Sequence, residues 1–284
     1  FMKKFVLLLA VLAVLGGLGW KGVQHVQQEF PRFCEETVPV FAYHRVEPGR
    51  EDRYTLSPAQ FDAQMKYLKD QGWTSISVED YAKGRKEGRT FHKQCILLFD
   101  DGYLDNLTYA APIMKKYGFT GNTFVAVKFE GWPGYLDWYQ SHALLQYGWK
   151  LGSHTYNHEP LTTLSKEQVD YELARSMEHM KGIYNPEHGM AFSYPNGESN
   201  AAIAQQVQKA GYCAGVSGNL GVNTETTPLW QLRRVNVFRQ HPENLECFKK
   251  EWLHAQILSY IATTGVDTDW LLQKAKWLKH AARL

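Results

Sequence analysis

Neither sign of charge dominates these 284 residues. There are 31 Lys+Arg against 29 Asp+Glu, and no basic block of five or six residues, which excludes the footprint of a nucleic-acid binder. Cysteine is scarce: Cys34, Cys95, Cys213 and Cys247 make no C-x-x-C pair, so neither a zinc ribbon nor a thioredoxin-type redox site is on offer. Cys95 and Cys213 sit in strand-like apolar runs and are expected to be buried, whereas Cys34 and Cys247 flank the domain and would pair only in an oxidising compartment. Repeats, low-complexity tracts and Pro/Ser-rich linkers are missing between residues 38 and 240, so that stretch reads as one domain. With 44% hydrophobic residues the chain is neither disordered nor fibrous.

One long apolar run is present, Phe5 to Trp20, preceded by Lys3-Lys4 and closed by Lys21. As a helix it would rise roughly 24 Å, slightly short of a ~30 Å hydrocarbon core, with lysines placed to snorkel at both ends. Gly17-Leu18-Gly19 is a poor cleavage pattern. The expectation is therefore an uncleaved N-terminal membrane anchor helix within residues 1–30, with the following domain periplasmic or extracellular by the positive-inside rule.

From residue 38 onward, short β-branched or aromatic runs alternate with helical patterns, the βαβα order of a parallel sheet or barrel. Strands are expected at 38–43, 74–77, 95–99, 122–127, 149–153, 190–194, 212–217 and 232–237. Ser57-Pro58 supplies an N-cap and a proline at N1 for a helix whose Phe61, Met65 and Leu68 share a face before Gly72 stops it. Ser165 and Gln168 make a capping box for a helix to about Tyr184, and Gly211 closes a third. Seven or eight such units predict an α/β fold, a distorted (β/α)7–8 barrel over residues 31–242. The tail, 243–284, reads as two C-terminal helices. The second opens at Asp267 and interleaves Trp270, Leu271 and Trp277 with Lys274, Lys276 and Lys279, suiting either an anionic membrane surface or packing on the barrel.

Chemistry concentrates at strand ends. Leu97-Leu98-Phe99-Asp100-Asp101-Gly102 ends a buried strand in two adjacent carboxylates, and in an α/β barrel such ends form the active-site face. His154 and His158 follow another strand; if a helical turn begins after Ser153, their i,i+4 spacing lets both imidazoles face one metal. With an Asp from a neighbouring strand end they make a two-histidine, one-carboxylate site with an open position. Tyr194-Pro195-Asn196-Gly197 reads as a turn exposing backbone N–H groups, and Phe41-Ala42-Tyr43-His44 ends the first strand.

Together these segments resemble the polysaccharide deacetylases that share the NodB homology domain. Phe99-Asp100-Asp101-Gly102 looks like the first motif (T/S-F-D-D-G, with Leu98 for Thr or Ser), His154–His158 like the second (H-S/T-x-x-H), and Tyr194-Pro195-Asn196-Gly197 like the third. The similarity is strongest to exported poly-N-acetylglucosamine deacetylases of biofilm matrices, where an early Tyr-His supplies the acid. No late Leu-x-His motif occurs between residues 217 and 240, where the resemblance ends. The resemblance implies that Asp101, His154 and His158 hold a divalent metal, Zn2+ or another such as Co2+ or Ni2+. It further implies that Asp100 is the base, that His44 protonates the leaving amine, and that the Asn196 N–H steadies the oxyanion. It also implies a polysaccharide substrate and partners in exopolysaccharide synthesis or export.

Two departures stand out. Asn196 replaces the usual aromatic, and Phe192-Ser193 stands where many members place an arginine, for which Arg234 is the replacement candidate. Aromatics at Trp132, Tyr135, Trp138 and Tyr139, and at Trp230, are candidates to stack on sugar. Tyr43, Tyr103, Tyr194 and Pro195 are expected to line the cleft. Two other readings fit the ligand set: a non-haem iron oxygenase, which has no need of Asp100, and an inactive membrane-tethered glycan-binding module, which would be expected to have lost a ligand or the base.

Overall fold

The computed structural model describes residues 19–239, 244–265 and Thr268. Helix α1 (Gly19–Glu36) leads into ten strands: β1 (Val40–Tyr43), β2 (Arg45–Val46), β3 (Thr55–Leu56), β4 (Thr74–Ser75), β5 (Gln94–Phe99), β6 (Asn122–Val125), β7 (Lys150–Ser153), β8 (Ala191–Ser193), β9 (Ala214–Leu220) and β10 (Leu232–Asn236). Seven of them close a parallel barrel in the order β1-β10-β9-β8-β7-β6-β5, with β5 pairing back onto β1 from Val40↔Ile96 to Tyr43↔Phe99. β4 adds to the outside of β5, and β2 and β3 make a separate two-stranded ribbon that sequence patterning did not reveal. Helices α2 (Pro58–Asp70), α3 (Val78–Lys86), α4 (Ala111–Tyr117), α5 (Trp138–Gln146), α6 (Lys166–Ile183), α7 (Ala201–Lys209) and α8 (Asn244–Ala262) surround the barrel.

Local sequence explains the element boundaries. Ser165 forms the expected capping box with Gln168, and Ser57, expected as an N-cap, forms one as well, with Gln60 returning to the cap N–H. Phe61, Met65 and Leu68 are fully buried against the sheet. Alternation then sorts the strand side chains by face. Val40, Ala42, Ile96, Leu98, Phe124, Ala191, Ala214, Val216 and Leu232 form one cluster, whereas Phe41, Tyr43, Leu97 and Phe99 pack outward with Phe61, Met65, Phe248 and Trp252.

Cys34 and Cys247 carry free thiols, as do Cys95 and Cys213. Cys34 is instead packed beside Phe30 and Leu253, where α1 crosses α8, so the pairing allowed for above is absent. Among the described residues no helix is long and apolar enough to cross a membrane. The apolar run, apart from its last two residues, and the second tail helix, apart from Thr268, lie outside the described residues.

Candidate active site

Strand parity builds the site. His44, Asp100 and Arg234 each fall two residues beyond an inward-facing residue (Ala42, Leu98 and Leu232), so the chemistry-bearing side chains continue the inner face into the barrel mouth. The registers bring them together: Tyr43 pairs with Phe99, and the Asp100 N–H donates to Tyr43 O at 3.0 Å. Arg234 Nη1 lies 2.7 Å from Asp100 Oδ2, and both residues are buried. The other carboxylate oxygen, Oδ1, is buried without a hydrogen-bond partner and faces His154 Nδ1 at 3.9 Å. Burial pushes the Asp100 carboxyl up, but the charges of His154, Arg234 and His44 outweigh it and hold its pKa below the ordinary value.

Asp101, His154 and His158 each offer a donor atom within 4.8 Å of the others. His158 Nε2 is 3.1 Å and His154 Nε2 3.5 Å from Asp101 Oδ1. His154 Nδ1 donates to the Ser193 carbonyl at 2.8 Å, which fixes the ring and leaves Nε2 for the cluster. Burial lowers the His154 pKa despite nearby carboxylates, whereas the Asp101 hydrogen bond overcomes burial and raises that of His158. Two imidazoles and a carboxylate converging at a barrel mouth fit a divalent cation with an open coordination position.

The helical turn expected after Ser153 is not formed. Residues 154–160 are loop, with Thr155 at φ 68° and His158 at φ 61°. The loop is shaped from below: Glu172 of α6 accepts from the Tyr156 and Asn157 N–H groups and from the Asn157 side chain, at 2.6–3.0 Å, and Thr155 Oγ1 accepts from the His158 N–H at 3.0 Å. Glu172 was missed in the sequence because an acid in an amphipathic helix gives no local signal.

Other residues sort by position. Asn196 is exposed on the turn after β8 with φ 57°, beside Gly197 at φ 73°, where a Cβ would run into the Gly218 backbone. Pro195 is buried beneath that turn. His44 keeps Nδ1 buried without a partner, and its carbonyl is held by Asn106 Nδ2 at 3.0 Å. Desolvation lowers its pKa against the raising effect of Asp100 and Asp101. Tyr103 is half-buried, under the Arg45 guanidinium at 3.9 Å and against Tyr135. Trp138 is exposed at the start of α5 and contacts Tyr139 and His142.

Three expected cleft residues lie elsewhere. Tyr43 points outward, stacked on Phe99 with its hydroxyl donating to Gln64 at 2.9 Å. Tyr194 is buried against Phe192 and donates to Trp230 O at 2.6 Å. Trp230 precedes β10 at the opposite end of the barrel, where its Nε1 donates to Tyr212 O at 2.9 Å.

Residues 87–215 match the family model for polysaccharide deacetylase. The chain carries a polysaccharide deacetylase domain. It is 29% identical over 201 residues to YxkH of Bacillus subtilis, named for the same family, covering 70% of this chain and 71% of that one. It is 22% identical over 252 residues to the poly-beta-1,6-N-acetyl-D-glucosamine N-deacetylase of Staphylococcus aureus, covering 76% of this chain and 86% of the relative. Among solved structures, the Streptococcus pyogenes deacetylase PplD in complex with acetate superposes with a TM-score of 0.67 at 26% identity, over 75% of this chain and 98% of that one. His44 and Arg234 fall outside the matched 87–215 segment, yet both reach the same mouth as Asp100.

Proposed function

We propose that this deacetylase removes N-acetyl groups from an N-acetylglucosamine polysaccharide, such as poly-β-1,6-N-acetylglucosamine, releasing acetate and a free amine. The observation that carries this reading is Asp100: a buried carboxylate with one oxygen paired to Arg234 and the other free beside the Asp101–His154–His158 cluster. The staphylococcal relative supports the choice of glycan.

In this mechanism Asp101, His154 and His158 hold a divalent cation, Zn2+ or Co2+ or Ni2+ in its place. When bound, the ion supplies Lewis-acid polarisation of the acetamide carbonyl. Asp100 takes the proton of the attacking water on its free Oδ1, and Arg234 keeps the carboxylate ionised and aimed. The Asn196 N–H, on a turn already folded, donates to the developing oxyanion without reorganisation. His44, set beside Asp100 by the β1–β5 register, delivers a proton to the departing amine. The second carboxylate favours hydrolysis over an oxygenase, whose ligand triad leaves Asp100 without a role. The full set of ligands and base likewise speaks against an inactive binding module. We assign the apolar run at 5–20 as a membrane anchor that places the domain periplasmic or extracellular, near exopolysaccharide synthesis or export machinery.

The test is acetate release from N-acetylglucosamine oligomers after chelation and after adding back each metal. Activity returns with metal, and Asp100→Asn binds metal but releases no acetate. An active Asp100→Asn enzyme removes Asp100 as base, and metal-loaded wild type that releases no acetate refutes the reaction.

A further inference from the structure

Between β6 and α5, residues 126–137 make a compact excursion over the barrel mouth. Its backbone is tightly pinned. Gly131 N–H donates to Leu136 O, Trp132 N–H to Phe129 O and Tyr135 N–H to Trp132 O, at 2.9–3.0 Å. The loop is also stitched to the segment that follows Asp101: Leu136 N–H donates to Gly102 O and Leu104 N–H to Gly134 O, and Tyr103 and Tyr135 form an isolated bridge.

The side chains of these two segments form a continuous aromatic arc. Ring centroids are 4.8 Å apart for Tyr103–Tyr135, 5.1 Å for Tyr135–Phe129, 5.3 Å for Phe129–Trp132 and 5.6 Å for Phe129–His158. The arc therefore begins two residues from Asp101, touches the ring of His158 and ends on Trp132. That indole is 51% exposed. An indole held half in water forgoes roughly 25 cal/mol for every Å2 of apolar surface it leaves unburied, and it is presented by a loop that hydrogen bonds make rigid. Trp138 and Tyr139 are also exposed, but their ring contacts are with each other and with His142 on α5.

We propose that Trp132 is a sugar-stacking subsite. The apolar C–H face of the hexose neighbouring the unit being deacetylated lies on the indole, one ring contact beyond Phe129 and two beyond His158. Aromatic faces bind such surfaces with specific geometry at low entropic cost, because the platform is already ordered. The domain consequently selects a chain of N-acetylglucosamine over a single unit. This inference rests on the deacetylase reading above, and its test separates the two.

Acetate release is measured with the full chain, metal restored, on a β-linked N-acetylglucosamine tetramer and on the monomer, for wild type, Trp132→Ala and Trp132→Phe. Tetramer binding is measured by calorimetry in the Asp100→Asn background with and without Trp132→Ala. Trp132→Ala is expected to lose about tenfold in kcat/KM on the tetramer, mainly through KM, and about tenfold in tetramer binding, with monomer activity and melting temperature unchanged. Trp132→Phe keeps most of the wild-type preference. Trp132→Ala that retains the wild-type tetramer-to-monomer ratio, or that loses equally on both glycans, overturns the subsite while leaving the deacetylase intact. Wild type that releases no acetate from either glycan overturns both.

Discussion

Arg234 offers the sharpest test of how the site is held together. It is 4% exposed, its Nη1 sits 2.7 Å from an Asp100 that is 1% exposed, and its Nε has no partner of its own. Removing one member of such a buried pair leaves the other charge desolvated and unmatched, at a cost of about 3–5 kcal/mol. Asp100 Oδ1 already lacks a hydrogen bond, so in Arg234→Met the whole carboxylate would be orphaned apart from His154 at 3.9 Å. At about 2–4 °C per kcal/mol for a chain of roughly this size, the melting temperature falls by about 10 °C. The double variant Asp100→Asn, Arg234→Met leaves no charge behind and recovers part of the loss, giving a coupling of about 2 kcal/mol in a double-mutant cycle. Urea unfolding of the four proteins measures this directly. Arg234→Met that loses less than about 1 kcal/mol, or single changes that add to within about 0.5 kcal/mol in the double variant, would refute a buried, mutually dependent pair.

Two further outcomes follow from buried acids outside the catalytic set. Glu172→Ala removes the acceptor of three donors in the His154–His158 loop and is expected to weaken metal affinity by about 10–100-fold; calorimetric titration with Zn2+ checks this, and unchanged affinity would mean the loop holds its shape without Glu172. Glu79 is pushed up to about 7 by burial, against the hydrogen bond from Tyr184 and the charge of Lys150. Because its folded pKa is raised, the stability tied to its bound proton is full below about 4.5 and is lost as pH rises through about 7, on the order of 3 kcal/mol. Glu79→Gln, which still accepts from Tyr184, should reduce the pH slope of urea midpoints across that window, leaving the slopes of Asp105, pushed up to about 6, and of the site histidines. Identical pH slopes for the two proteins would remove Glu79 from the account.

The barrel and most of the mouth were legible in the sequence because both write themselves locally. Apolar runs bounded by Ser-Pro and glycine gave eight strands near their observed places, and Asp100-Asp101 and His154–His158 sit on strand ends that any barrel turns to one face. The misplaced cleft residues trace to side-chain direction for two tyrosines and to position along the strand for Trp230. Adjacency to His44 suggests the cleft for Tyr43, but a period of two sends neighbours to opposite faces, so adjacency argues against it. Tyr194 fails for the same reason, sharing parity with the outward Phe192. Trp230 precedes its strand and so belongs to the far end of the barrel. The same parity, applied from Leu232, picks out Arg234 as inward, a signal stronger than its replacement of a missing arginine.

Backbone strain records where function presses on the fold. Among the described residues five non-glycine positions have left-handed φ, and four of them are Asp101, Thr155, His158 and Asn196. Each costs roughly 1–2 kcal/mol against an ordinary conformation, and Thr155, being β-branched, is the least suited to it. A helical turn would have avoided that cost at Thr155 and His158 and still brought two histidines four apart onto one face. It would also have left the loop carrying its own hydrogen bonds. Instead the N–H groups of residues 156 and 157 are given to Glu172 and that of His158 to Thr155, so the ligand loop is set by α6 beneath it. The strain is thus sustained by neighbours whose own positions are fixed by the barrel's packing, and His154, anchored to Ser193 of β8, and His158 reach Asp101 from a frame those neighbours set.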